Sequence, residues 1–428
     1  MKEATKQPQL KRVIGLPGAM MMGLGSIIGT GVFVSLGIGA DIAGPSVLLA
    51  IVLAAGVAMC NGLSSAQLAA NHPVSGGTYE YGHRWLTPSL GFTAGWMFLC
   101  AKSASAATAA LGFAGYLAHA TGIGASLFLA LGVVVLVTAV ALCGIERSNS
   151  VNIAIVSIVI LALLTFVVAG FPSAIENRAA FQPLLDGEKL TDLLRATALI
   201  FVAFTGYGRI ATLGEEVTEP RRTIPRAVIV TLIVSMALYL AVAFVGLGAV
   251  GTKGFAGTDS PLALASQQMG QAALPMVMVI GATVAMVSVL LNLVLGLSRV
   301  VLAMGRRGDL PKATAHISES TQVPAVATVA VAVLIAGLVC IGDVRLTWSF
   351  SAFTVLVYYA ITNLCAIRMN SGERLYPVWS AYLGLVACLS LAFFVDWKVC
   401  VTGMGLIAAG LIFRALTSTA SGQNPEDD

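Results

Sequence analysis

Charge is what this chain has least of. Its 428 residues include 24 Lys and Arg, 20 Asp and Glu and four His, so 10% are charged against 57% hydrophobic. A soluble domain carries roughly 25% charged residues. With a mean hydropathy of +0.90, that shortage excludes a water-soluble globular protein and marks an integral membrane protein. Short alternating strands are missing too. The apolar runs are long enough for crossings of about 20 residues each, which makes the class helical and polytopic and excludes a barrel. No stretch remains for a soluble domain of useful size. The start, MKEATKQPQLKR, lacks a small-residue cleavage site, so the first helix is expected to be retained. The seven cysteines, at 60, 100, 143, 340, 365, 388 and 400, show no CxxC or metal-ligand spacing and read as small core residues. The histidines at 72, 83, 119 and 316 lie at or beyond the ends of the apolar runs without HExxH-like spacing. No cluster of acids, metal ligands or base-activated nucleophile points to an enzyme. No cofactor and no metal are expected.

What is present is a series of apolar spans near 13–39, 45–70, 88–117, 124–144, 150–171, 193–214, 226–250, 273–303, 324–341, 346–367, 376–395 and 398–415. Tails at 1–12 and 416–428 flank them. Placing the N-terminus inside puts Lys and Arg 2, 6, 11, 12, 84, 147, 221, 222, 226, 306, 307, 312, 368, 374 and 414 in the cytoplasm. Residues 178, 189, 195, 253, 345 and 398 fall outside, and Lys102, Arg209 and Arg299 fall within spans. Fifteen against six predicts both termini in the cytoplasm of a multi-pass protein. The bias accounts for the net charge of +4, so no nucleic acid partner is called for.

Two spans carry glycines where a helix in lipid should have few. The first is interrupted at 29-GTG-31 and the sixth at 201-FVAFTGYGRIA-211, where Gly206 and Gly208 repeat the G-x-G pattern. Glycine lets backbone leave helical angles, and freed N–H and C=O groups are tolerable at membrane depth only when buried in protein or lining a cavity. Half-helix N-termini favour a carboxylate and carbonyl ends favour an ammonium, which suits an amino acid zwitterion. Close helix packing by small residues, as at Gly25 and Gly29, is the alternative account.

Four stretches then carry a family resemblance: 23-GLGSIIGTGVFV-34 with 43-AGPS-46; 72-HPVSGGTYEY-81 with 95-GW-96; 206-GYGRIATLGEEVTEPRRTIPRA-227; and 298-SRVVLAMGRRGDLP-311 followed by Pro324. The chain resembles the amino acid, polyamine and organocation superfamily of secondary transporters. The resemblance implies an all-α fold of about twelve transmembrane helices. Residues 13–171 and 193–367 would form a five-plus-five inverted repeat with discontinuous helices 1 and 6, and 376–415 two further helices. It implies alternating access around a midplane site between spans 1, 3, 6, 8 and 10. Carried onto this chain, the pattern places the substrate carboxylate at Gly29, Thr30 and Gly31, beside Ser26. The ammonium would meet the carbonyls of Ile27, Val202 and Thr205, next to Gly206. Phe204 would be an aromatic lid, although a Phe there is as readily ordinary core.

Departures from the pattern limit what transfers. Gly208 followed by Arg209 stands where span six usually has an acid, Gln67 replaces a usual Glu in span two, and span five, 150-SVNIAIVSIVILALLTF-166, has no lysine. A pocket without a clear acid has little to hold a second positive charge, which favours a neutral amino acid over a polyamine or other organic cation. Coupling to protons or sodium is open. Ser288 lies where sodium-coupled relatives supply hydroxyls, or it bonds back to its own helix. Lys102, near mid-depth on a face with Ser105, Ala106 and Ala109, is expected to point into the bundle as a titrating group or cation surrogate, or as a static tie. Glu215 and Glu216 after span six, with Arg299 of span eight, form a candidate charged gate or a solvated loop. The 304-MGRRGDLP-311 turn reads first as a topology signal. An exchanger, a channel and a non-transporting amino acid sensor are the other readings.

Overall fold

The computed structural model describes residues 14–74, 76–124, 126–144, 149–182, 190–212, 216–256, 258–318 and 323–420. Helices run through all twelve expected spans. The first span is split into α1 (Leu16–Ile27), a π turn (Gly31–Ser35) and α2 (Leu36–Ala43). There follow α3 (Val47–Asn71), a short α4 (Thr78–Trp85), α5 (Pro88–Thr121), α6 (Ser126–Leu142) and α7 (Asn149–Glu176). The sixth span is split into α8 (Leu190–Phe204), a 3-10 turn (Thr205–Tyr207) and α9 (Gly208–Ala211). Then come α10 (Pro220–Ala256), a short α11 (Pro261–Gln268), α12 (Leu274–Arg307), α13 (Ala325–Val339), α14 (Val344–Arg368), α15 (Val378–Ala392) and α16 (Trp397–Ala420). Among the described residues there is no strand, only a single bridge between Ile14 and Val217. The face holding Ile14 and Arg414 is called basal here, and the opposite face distal.

Local chemistry sets the helix ends. Thr87 Oγ1 accepts from Leu90 N at 3.3 Å with Pro88 at the first helical position, which starts α5. Asp343 Oδ1 accepts from Leu346 N at 2.8 Å and starts α14. Gly122 (φ +72°) and Gly308 (φ +85°) end α5 and α12 in the left-handed region that a side chain would resist. α10 is kinked at Gly251.

Helix α5 lies at the centre, packed against α14 and α12, while α10 packs against α3. Its buried side chains are nearly all small, from Ala101 through Ser103, Ala104, Ser105, Ala106 and Ala107 to Thr108, Ala109 and Ala110, which lets neighbouring backbones approach closely. Large apolar residues along the helices are exposed: Phe128, Val135, Leu161, Val168, Phe393 and Ile412 face outward. That inversion of a soluble surface is what lipid requires. Two cysteines depart from the core reading, because Cys143 and Cys340 are exposed at helix ends. All seven are free thiols.

Candidate functional site

The two interrupted spans cross antiparallel at their breaks. A side chain on Gly23 would lie 2.5 Å from Ile210 Cδ1, one on Gly31 would lie 2.9 Å from Ala203 Cβ, and one on Gly206 would run into the backbone of Ser26. As numbers rise on one strand they fall on the other. The breaks themselves differ in kind. At the first, Ile28 leaves the helix (φ −80°, ψ 95°), and Gly29 O then accepts from both Val32 N and Phe33 N at 3.1 Å. At the second, the backbone keeps helical angles and only tightens into a 3-10 turn, with Phe204 at φ −85°, ψ −14°. The glycines at the breaks have no positive φ. Gly206 allows close approach of two backbones while Gly29 and Gly31 leave room for the side chains of Val289, Tyr239 and Ala203, and the expectation that Gly206 serves unwound angles is corrected on that ground.

The carbonyls expected to meet a ligand ammonium already have protein donors. Tyr239 OH donates to Ile27 O at 2.7 Å, Thr205 Oγ1 donates to Val202 O at 2.7 Å, and Tyr359 OH donates to Thr205 O at 3.2 Å. Lys102 is buried, and its Nζ donates to Thr205 Oγ1 at 2.8 Å. The lysine of span three is thus tied directly to the interruption of span six. Ser26 Oγ donates back to Met22 O at 2.9 Å. Thr30 Oγ1 is buried and finds no partner among the described residues.

A cavity of about 120 Å³ sits against these residues. Ser26, Ile27, Thr30 and Gly31 line it from the first break, Val202, Thr205 and Gly206 from the second, and Lys102 from α5. From there the wall continues past Val289, Leu293 and Leu297 of α12 to Gly76, Thr212 and Arg299 toward the basal face. On the distal side the bundle is closed. Trp348 Nε1 donates to Leu199 O at 2.9 Å, Thr108 and Thr347 hydroxyls meet at 2.8 Å, Tyr116 OH donates to Phe33 O at 2.8 Å, and Arg345 pairs with Asp41.

Several expected site residues lie elsewhere. Gly29 is off the wall, covered by Val289, whose Cγ2 would be 2.5 Å from its Cβ. Phe204, the expected lid, is fully buried and rests on Tyr239 with ring centroids 5.1 Å apart. Ser288 is buried in α12 outside the wall. Of the gate residues, Glu215 lies outside the described residues, Glu216 accepts from Ile14 N at 3.0 Å through its backbone, and Arg299 lines the cavity. Among the described residues neither Glu216 nor Arg299 makes an ion pair within 4.0 Å.

Sequence reading missed Phe98, Asn292, Trp348, Tyr358 and Tyr359, all of which line the cavity. The only signal was their position in spans three, eight and ten. It left open whether Arg209 serves coupling or structure, and Arg209 lines the cavity together with Arg299.

The 304-MGRRGDLP-311 turn does more than mark topology. Asp309 is buried beneath the basal face, where Tyr79 OH donates to Oδ2 at 2.7 Å and Arg414 Nε lies 3.4 Å from Oδ1. Arg307 pairs with Glu80 at 2.6 Å. This joins α4, α12 and α16. His83 Nε2 is 3.9 Å from Asp309, but burial, aided by Arg307, pushes the imidazole pKa down, so it sits there neutral near pH 7. Gln67, in place of an acid, accepts from Leu375 N and Tyr376 N at 3.3 and 3.4 Å and holds the turn between α14 and α15.

Comparison with known proteins places this architecture. The family model for amino acid permeases matches residues 18–424. An uncharacterized transporter of Mycobacterium tuberculosis is 40% identical over 97% of this chain and 95% of its own length. A branched-chain amino acid permease of Bacillus subtilis is 31% identical over 75% of this chain and 73% of its own. The human cationic amino acid transporter 4 is 29% identical over 87% of this chain and 62% of its own. The chain belongs to the amino acid permease family, a family of transporters and not of enzymes.

Proposed function

We propose that this amino acid permease is a secondary transporter of amino acids that lack a cationic side chain, neutral ones first, working by alternating access around the mid-depth cavity. The observation that carries the reading is the convergence of both helix breaks and Lys102 on one largely apolar cavity, open to the basal side and sealed on the distal side. The α-carboxylate would take the Thr30 hydroxyl and the amides after the first break. An apolar side chain would lie along Val289, Leu293 and Leu297. With the tails in the cytoplasm, as the positive-inside rule predicts, the basal face is cytoplasmic and the cavity is inward-open. Two inverted repeats, 13–171 and 193–367, would supply the rocking elements.

A proton is the coupling ion this site favours. Lys102, a buried amine that can gain or lose a proton, contacts Thr205 at the second break on the cavity wall, whereas Ser288 does not line the cavity. The test is a competition panel of amino acids and amines against uptake in proteoliposomes, with and without sodium and a pH gradient, together with counterflow. Sodium-independent, gradient-driven uptake of neutral amino acids with counterflow is the expected result. Binding without counterflow would make the chain a sensor, and large unitary currents would make it a channel.

A further inference from the structure

Among the described residues, the charged groups of the cavity are all of one sign. Lys102, Arg209 and Arg299 line it, and among the described residues no Asp or Glu does. Lys102 is engaged by Thr205, but neither guanidinium has an ion-pair partner among the described residues. Arg209 of α9 and Arg299 of α12 line the same cavity beside Thr212, and among the described residues no carboxylate belongs to its wall. Two like charges in a partly buried cleft are unfavourable unless an anion joins them, and a cleft of one sign concentrates ligands of the other. Guanidinium groups suit carboxylates in particular, since their planar donors match the two oxygens.

The position of Arg209 sets the geometry of a ligand. It follows Thr205 by four residues, which is about 6 Å along a helix. A ligand whose α-carboxylate sits at the first break therefore has Arg209 and Arg299 ahead of its side chain, toward the basal opening. We propose that Arg209 and Arg299 form an anion subsite that takes the side-chain carboxylate of an acidic amino acid. The subsite extends the range of the carrier from neutral to acidic amino acids and turns cationic ones away. This rests on the cavity being the substrate site.

Equilibrium competition against a bound radiolabelled neutral amino acid, L-leucine, tests it on the purified full-length protein. L-Glutamate and L-aspartate are compared with their near-isosteric amides, L-glutamine and L-asparagine, and with L-lysine, in chloride and in gluconate buffer. The quantity read is the acid-to-amide affinity ratio. The acids are expected to bind at least about tenfold more tightly than the amides, about 1.4 kcal/mol by the standard conversion. That ratio should collapse toward one in Arg209→Gln and in Arg299→Gln, and Arg209→Lys should keep part of it. If Arg209→Gln does not fold, the exposed Arg299 decides the matter alone. A wild-type ratio at or below one overturns the proposal. So does a ratio unchanged in both variants, or one that appears only in gluconate because chloride fills the subsite. Absence of leucine binding, with L-glutamate binding measured directly, would instead count against the neutral-substrate reading.

Discussion

Lys102 Nζ donates to Thr205 Oγ1 at 2.8 Å, and the same hydroxyl donates onward to Val202 O at 2.7 Å. One hydroxyl thus connects the amine of the central helix to the last carbonyls of α8. Losing either end leaves a buried polar group without its partner, which costs about 1–3 kcal/mol for a neutral group and more for a charged one.

Lys102→Met is expected to abolish concentrative uptake and flatten its dependence on pH between about 5 and 9, while counterflow persists. Thr205→Val should give the same phenotype more weakly, and the double variant no further loss, because the two residues act through one contact. Uptake by Lys102→Met at the parent's rate and pH profile would leave Lys102 with a structural part only.

Gly206 and Gly29 should respond differently to alanine. At Gly206 the new Cβ meets the backbone of Ser26, and no truncation of a side chain can make room. At Gly29 it meets Val289 Cγ2 at 2.5 Å, a side chain that can be shortened. Gly206→Ala is expected to lose substrate binding by more than about tenfold in any background, an overpacking cost of about 1–3 kcal/mol or more. Gly29→Ala should be impaired alone and recover when combined with Val289→Ala. Binding titrations on the four proteins check this, and recovery of Gly206→Ala by a shortened neighbour would contradict the backbone contact.

The half-exposed pair of Asp41 and Arg345 ties α2 to the start of α14 on the closed distal side. Such a pair contributes about 0–1 kcal/mol, so Asp41→Asn should shift the balance toward the distal-open state by no more than about fivefold. Labelling of a cysteine placed at Thr347 from the distal side should quicken accordingly. High salt should quicken the parent and leave the variant unchanged.

Two histidines of the basal face, both outside the spans, are expected to lower stability in acid. Burial is the larger cause, together with Arg84, that pushes the His72 pKa below its ordinary value of 6.5, and Arg84 Nη1 donates to its Nδ1 at 2.6 Å, a bond only the neutral ring can accept. His83 is lowered for a similar reason. A base with a lowered folded pKa leaves the unfolded chain holding more protons, so stability is full above the ordinary pKa and falls as pH drops through it. Thermal unfolding in detergent should therefore show a falling midpoint from pH 7.5 to 5.5. His72→Gln should reduce that slope, and an unchanged slope in both His72→Gln and His83→Gln would remove the explanation.

The membrane class, the number and order of spans and the two interruptions were legible in the sequence because they depend on local composition: long apolar runs, few charges and repeated glycines. The inward direction of Lys102 was legible too, because Ser105, Ala106 and Ala109 on its face are too small for a lipid-facing surface. Helix rotation was not. A span that is apolar on every side carries little record of which face meets lipid, so nothing local put Trp348, Tyr358 and Tyr359 on the cavity wall or turned Phe204 away onto Tyr239. The purpose of Gly206 was likewise settled 180 residues away, at the backbone of Ser26. The donors that fill the carbonyls of Ile27 and Thr205 come from α10 and α14, and the second guanidinium on the wall that Arg209 lines, that of Arg299, comes from α12. Contacts of that separation follow from how the helices pack, which the sequence encodes only through the sum of all its interfaces, and that sum decided the shape and sign of the cavity.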